Sequence, residues 1–87
     1  MYKIVYLDKV EDDLKHLPTT LKRKIIDRIE RYLAKDPKIL GKPLIGSFKG
    51  FWSYRYSDFR VIYRISDEEI LIVVARIGHR KEIYRLK

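Results

Sequence analysis

The spacing of apolar residues changes once along this chain, at Trp52, and that change limits the folds open to it. Before it, Leu21, Ile25, Ile29 and Leu33 step by four, with Ile26 and Tyr32 widening the stripe. Lys22, Arg23, Lys24, Asp27, Arg28, Glu30 and Arg31 occupy the other face. From Trp52 the interval is two. Trp52, Tyr54 and Tyr56 alternate with Ser53, Arg55 and Ser57, and past a Ser57-Asp58 turn Phe59, Val61, Tyr63 and Ile65 alternate with Arg60, Ile62 and Arg64. A helical half followed by a hairpin predicts an α+β fold.

The remaining segments complete the outline. Tyr2 to Leu7 predicts a strand, and because both its faces are largely apolar it is expected inside the sheet. Asp8 is the expected N-cap of a short helix carrying Val10, Leu14 and Leu17 and stopped by Pro18, and Thr19 or Thr20 is expected to cap the second helix, which Asp36-Pro37 ends. Residues 37–50 hold three of the four glycines and two of the three prolines, which predicts an ordered loop anchored by Ile39, Leu40, Leu44, Ile45 and Phe48. After a turn at Asp67-Glu68, EILIVVARI reads as a central strand covered on both faces, broken by Gly78 ahead of a basic tail, HRKEIYRLK. The expectation is one compact domain over residues 1–87: an N-terminal strand, two helices, then an antiparallel three-stranded meander completing the sheet.

Eighty-seven residues support one modest core, burying roughly 60% of the unfolded surface, and exclude a dinucleotide-binding fold. With no cysteine there is no disulfide, thiolate nucleophile or thiolate metal site, so packing alone must hold the fold. No apolar run approaches the roughly 20 residues of a membrane span. The opening MYKIVYLDKVEDD lacks the basic end and apolar stretch of an export signal, so the expected location is cytoplasmic. Twenty Lys and Arg against 12 Asp and Glu leave 20 − 12 = +8, which favours a polyanionic partner, nucleic acid first.

Most routes to catalysis find little support. His16 and His79 are isolated, and Glu11-Asp12-Asp13 and Asp67-Glu68-Glu69 read as a solvated helix start and a turn, so neither a metal site nor a cofactor is expected. There is no nucleophile elbow, and GKPLIGSFKG lacks the Gly-Lys-Ser/Thr ending of a phosphate loop. Arginines 55, 60, 64, 76, 80 and 85, six of the nine, fall after residue 51 beside tyrosines. Arginine offers planar bidentate phosphate contacts, and tyrosine a stacking face with an ionisable hydroxyl. Alternation puts Arg55 and Arg60 on the open face of the hairpin, with Arg80 expected to reach the same surface and Trp52 expected in the core. Such a surface can cut RNA without metal: the 2′-hydroxyl attacks the adjacent phosphodiester, arginines stabilise the transition state, and a tyrosine whose phenolate is favoured by adjacent cations serves as base. Tyr84 is the nearest such residue.

FRVIYRI, RIGHRKEIY and the opening YKIVYLDKVEDDLKHLP together resemble the RelE/ParE superfamily of bacterial and archaeal toxins, in particular its RelE branch, over essentially the whole chain. The resemblance implies a RelE-like fold and a ribosome-dependent endoribonuclease that cuts mRNA and is held inactive by a RelB-like antitoxin in a hetero-oligomer. It assigns transition-state stabilisation to Arg60, leaving-group protonation or charge stabilisation to Arg80, and the stacking or base role to Tyr84. Arg55 matches one of two basic residues common on the second strand, while Ser53 stands where the other would be and Lys49 is the expected substitute. His79 and Lys81 join the expected RNA contacts, and Lys22, Arg23, Arg28 and Arg31 the expected grip on ribosomal RNA. Two alternatives share the fold or the charge: a ParE-like inhibitor of DNA gyrase and a non-catalytic RNA- or ribosome-binding module.

Overall fold

In the computed structural model, which describes residues 1–85, the change of period at Trp52 marks the passage from a helical layer to a sheet. Strand β1 (Lys3–Tyr6) leads into helices α1 (Asp8–Lys15) and α2 (Thr19–Arg28), the latter continued by a π-type turn, Ile29–Leu33. A short helix α3 (Pro37–Leu40), a two-residue strand β2 (Lys42–Pro43) and a 3₁₀ turn (Gly46–Phe48) follow. Strands β3 (Trp52–Tyr56), β4 (Phe59–Ser66) and β5 (Leu71–His79) then form the meander, and a 3₁₀ turn, Ile83–Arg85, closes the chain described. The five strands lie in the order β1-β5-β4-β3-β2, with β1 parallel to β5 and the other pairs antiparallel. The α+β expectation stands.

The helices cover one face. Val10 and Leu14 of α1 and Ile25, Ile29 and Leu33 meet Tyr54, Val61, Tyr63, Ile72, Val74 and Ile77 of the sheet in one buried cluster. Each fully buried aliphatic side chain contributes about 1.5–3 kcal/mol. A stripe that steps by four drifts by about 40° per step on a helix of 3.6 residues per turn. The π-type turn absorbs the drift: Ala34 N–H donates to the Ile29 carbonyl at 3.0 Å, five residues back, and both Leu33 and Ala34 stay inside.

Several local expectations are corrected. β1 is an edge strand, paired with β5 alone, and the side bearing Val5 and the following Leu7 is left open, these residues being 43% and 46% exposed. β5 is central in order, between β1 and β4, but its residues alternate between buried and half-buried, since the helices cover one face only. Gly78 lies within β5, paired with Arg60, and does not break it. Neither Asp8 nor the threonines cap a helix; Leu7 and Pro18 hold the N-cap positions without side-chain hydrogen bonds, and α1 ends before Pro18. Ile39 and Ile45 are not anchors, being 80% and 88% exposed. The 37–43 segment is instead held by buried Pro37, whose carbonyl accepts the Tyr63 hydroxyl at 2.6 Å, and by buried Gly41. A Cβ on Gly41 would overlap that same hydroxyl, so the close approach requires glycine. The last two residues of the basic tail, 86 and 87, lie outside the described residues.

Candidate active site

The site begins with hairpin register. A tight turn with Ser57 at φ 54° sets β3 against β4 so that Arg55 pairs directly with Arg60. Trp52, Tyr54, Tyr56, Phe59, Val61 and Tyr63 then pack toward the helices, which leaves both arginines on the open face. Like charges directly opposite one another destabilise a sheet, so this pair works against the fold. Arg55 Nε donates to the Ser57 carbonyl at 3.1 Å. Arg60 is half-buried, and its Nη1 is shielded from solvent with no hydrogen-bond partner among the described residues. A shielded guanidinium nitrogen without an acceptor is costly unless a ligand supplies one.

Two further segments close a cleft over these arginines. Past β5, Glu82 N–H donates to the His79 carbonyl at 2.9 Å, and Ile83 is buried, which brings Tyr84 to the open face. The Tyr84 ring meets Phe48 edge-on at 5.4 Å. On the other side β2 pairs Lys42 with Ser53. Leu40, Lys42, Leu44, Ser53, Arg55, Arg60 and Tyr84 together line a cleft of about 250 Å³. Its polar groups are three cations, a phenol and an alcohol, with no carboxylate or imidazole, a set suited to a phosphodiester.

Arg55, Arg60 and Tyr84 are thus brought together as expected from the sequence, and other expected residues are not. Arg80 lies at the end of β5, its N–H donating to the Asp58 carbonyl at 2.7 Å and its Nε 3.8 Å from the Asp58 carboxylate, outside the cleft lining. His79 pairs with Phe59 and stacks edge-on against it at 5.7 Å, so it sits on the helix side of the sheet, in a different depression shared with His16 and Glu82. Its Nδ1 accepts the Lys81 N–H at 3.2 Å; Lys81 and Lys49 are exposed and line no part of the cleft. On α2 and its continuation, Lys22 and Arg23 are exposed, Arg28 lies over the Tyr32 and Tyr56 rings, and Arg31 pairs with Asp27 at 2.8 Å. Trp52 stacks on Tyr63 and packs against the core. Among the described residues no group of three His, Asp or Glu side chains is placed to hold a metal ion.

Sequence reasoning missed Lys42. The Lys-Pro pair between Gly41 and Leu44 shows only that any strand there is an edge strand, and two residues are too few for a period to show one.

Residues 4–84 match the family described as the ParE toxin of type II toxin-antitoxin systems. The chain is 32% identical to Toxin RelG of Mycobacterium tuberculosis over 84 residues, covering 97% of each protein. It is 29% identical to Toxin RelE of the same organism over 85 residues, 98% of this chain and 88% of that protein. Among solved structures it resembles the toxin-antitoxin complex RelBE2 of M. tuberculosis, with a TM-score of 0.87 and 30% identity over 91% of this chain and 98% of that one. The chain therefore belongs to the RelE/ParE superfamily, the toxins of type II toxin-antitoxin systems, and within it is a RelE-family toxin.

Proposed function

We propose that this toxin is a metal-independent endoribonuclease that cuts mRNA on the ribosome and so stops translation. The observation that carries the reading is Arg60: a half-buried guanidinium with an unpartnered nitrogen, set opposite Arg55 in a cleft shared with Tyr84. Tyr84 serves as the base that takes the proton of the 2′-hydroxyl, whose oxygen attacks the adjacent phosphorus in line. Arg60 and Arg55 bind the non-bridging oxygens as charge builds on them, and the P–O5′ bond breaks, the departing O5′ taking a proton from water, to give a 2′,3′-cyclic phosphate and a 5′-hydroxyl. Arg80 stabilises the departing oxygen once its side chain leaves the Asp58 carboxylate that it faces outside the cleft. DNA lacks the nucleophile and stays intact.

The reading includes a RelB-like antitoxin as partner in a hetero-oligomer. It is supported by the RelBE2 relative, solved as a toxin-antitoxin complex, and by the half-exposed apolar residues Val5 and Leu7 beside a chain of charge +8. Its place of action is the cytoplasm, where ribosomes are; no helix among the described residues is long and apolar enough to cross a membrane. The test is cleavage of mRNA on programmed ribosomes by the parent, Arg60→Ala and Tyr84→Phe. The expected result is a loss of about 10²-fold or more in each variant, the size of effect seen when one transition-state donor or one general base is removed. Cleavage at the parental rate by both variants would reject the assignment.

A further inference from the structure

We infer that Lys42 is a phosphate-binding residue of this cleft, replacing from the neighbouring strand the cation that β3 lacks at Ser53. The inference deepens the endoribonuclease reading and rests on it. Lys42 and Ser53 are direct partners across the β2-β3 pair, so their side chains project to the same face with Cβ atoms about 4.5–5.5 Å apart. Ser53 in turn shares its face with Arg55, two residues on, and through Arg55 with Arg60. All four line the same cleft. A serine at 53 leaves the space above it open, and the four-carbon stem of Lys42 can carry its ammonium across that space. Among the described residues no carboxylate pairs with Lys42, so its charge is available to a ligand.

The backbone under Lys42 is firmly placed. Tyr63, fully buried, donates its hydroxyl to the Pro37 carbonyl at 2.6 Å, and Gly41 packs against that hydroxyl. The residue before Lys42 is therefore fixed to the core, and Pro43 follows it on the sheet edge. Lys49, the other lysine near this end of the hairpin, follows the 3₁₀ turn and lies outside the cleft. The sum is a cleft with three cations, Lys42, Arg55 and Arg60, facing one backbone, and apolar Leu40 and Leu44 beside them. The chemistry fits a single-stranded ribonucleotide segment, with adjacent phosphates on the cations and a sugar or base against the leucines.

Lys42→Met keeps the stem and removes the charge. Lys3→Met, on the opposite edge strand, removes the same net charge away from the cleft and is the control. Binding to a fully 2′-O-methylated oligoribonucleotide, which cannot be cut, is measured by fluorescence anisotropy across a salt series. Lys42→Met is expected to raise Kd about tenfold, as for loss of one charge-assisted contact, and to reduce the salt slope by about 0.7, the value for one phosphate of a single strand. Lys3→Met changes Kd by less than about twofold, and Lys42→Arg retains binding. The double variant Lys42→Met/Ser53→Lys, which returns the cation from β3, recovers most of the lost affinity. On programmed ribosomes the same order holds for cleavage. Equal behaviour of Lys42→Met and Lys3→Met, or no recovery in the double variant, overturns the inference. If Arg60→Ala abolishes cutting while Lys42→Met cuts as the parent does, the Lys42 assignment alone fails; full cutting by Arg60→Ala removes the functional reading beneath it.

Discussion

Asp13 and Arg76 are joined by a two-point ion pair, Nε to Oδ2 at 3.0 Å and Nη2 to Oδ1 at 2.8 Å, and the same Asp13 carboxylate also accepts the Ile77 N–H at 2.9 Å. The relationship explains how the edge of β5 is finished. β1 pairs with β5 only from Leu71 to Val74, and past a register shift opposite Ile62/Tyr63 the strand would leave backbone donors open. Asp13, from α1, takes over where β1 stops. It thereby ties the helical layer to the strand that Arg80 directly follows.

Asp13→Ala should accordingly be the most damaging single change on α1 outside its apolar face. It leaves a guanidinium with 19% side-chain exposure unpaired and the Ile77 N–H without its acceptor. A loss of about 2–4 kcal/mol is expected in urea unfolding, below the full figure for a completely buried pair because water still reaches this one. Asp13→Asn, which retains an acceptor, should lose less. A change under about 0.5 kcal/mol in Asp13→Ala would remove the pair from the account of stability.

Tyr63→Phe removes the hydroxyl that holds Pro37 and leaves its carbonyl unsatisfied in the core, at a cost of about 1–3 kcal/mol. Gly41→Ala should cost more, since its Cβ overlaps that hydroxyl. Because the segment carries Lys42, both variants should also lose affinity for uncleavable RNA at a temperature where they remain folded. Circular dichroism and anisotropy on the same samples separate the two effects. Unaltered affinity in a folded Gly41→Ala variant would contradict the link.

The Asp67 carboxylate accepts from Lys38 Nζ and the Tyr2 hydroxyl, each at 2.8 Å. The hydrogen bond from Lys38, and after it the one from Tyr2, holds Asp67 below the usual carboxylate range. A carboxylate depressed in the fold stabilises above its unfolded value of about 3.9 and loses that contribution as pH falls through the folded value. Thermal melts of the parent from pH 6 to pH 2 should therefore contain an acid-limb component that Asp67→Asn lacks. Parallel curves for the two proteins would reject it.

Phe48 meets the Tyr84 ring edge-on without lining the cleft, which makes it a positioning residue under the proposed endoribonuclease reading. Phe48→Ala frees the tyrosine ring. It is expected to lower kcat by about tenfold or more with little change in KM, because misplacement of a reacting group by about 1 Å can cost 10²-fold. Phe48→Tyr, which keeps the ring, should restore the rate. A KM effect without a kcat effect would argue for a contact with RNA instead.

What was legible in the sequence follows from periodicity. Arg55 and Arg60 could be placed on one face because strict alternation runs through the hairpin on both sides of Ser57-Asp58, and the core positions of α2 could be read from Leu21, Ile25, Ile29 and Leu33. Lys42 could not be read this way, since a two-residue strand has no period of its own and its neighbour is specified only by register with β3. Asp13 was concealed in an acidic run that resembles any solvated helix start, though it is the member turned toward β5. His79 was misplaced for a related reason: Gly78 reads as a stop, yet the strand continues through it and alternation carries the imidazole to the helix side, away from Arg60. The edge position of β1 was hidden because Val5 and Leu7, apolar yet 43% and 46% exposed, read as a strand covered on both faces, and composition does not say which strands pair.

The central claim is that the Arg60 cleft cuts RNA, and sequencing of RNA ends after controlled expression tests it most directly. The account predicts new mRNA ends bearing 2′,3′-cyclic phosphates within translated regions when the parent is expressed, and none above background with Arg60→Ala at equal protein level. Intact mRNA with stalled DNA gyrase complexes, or ribosome binding without new ends, would contradict it.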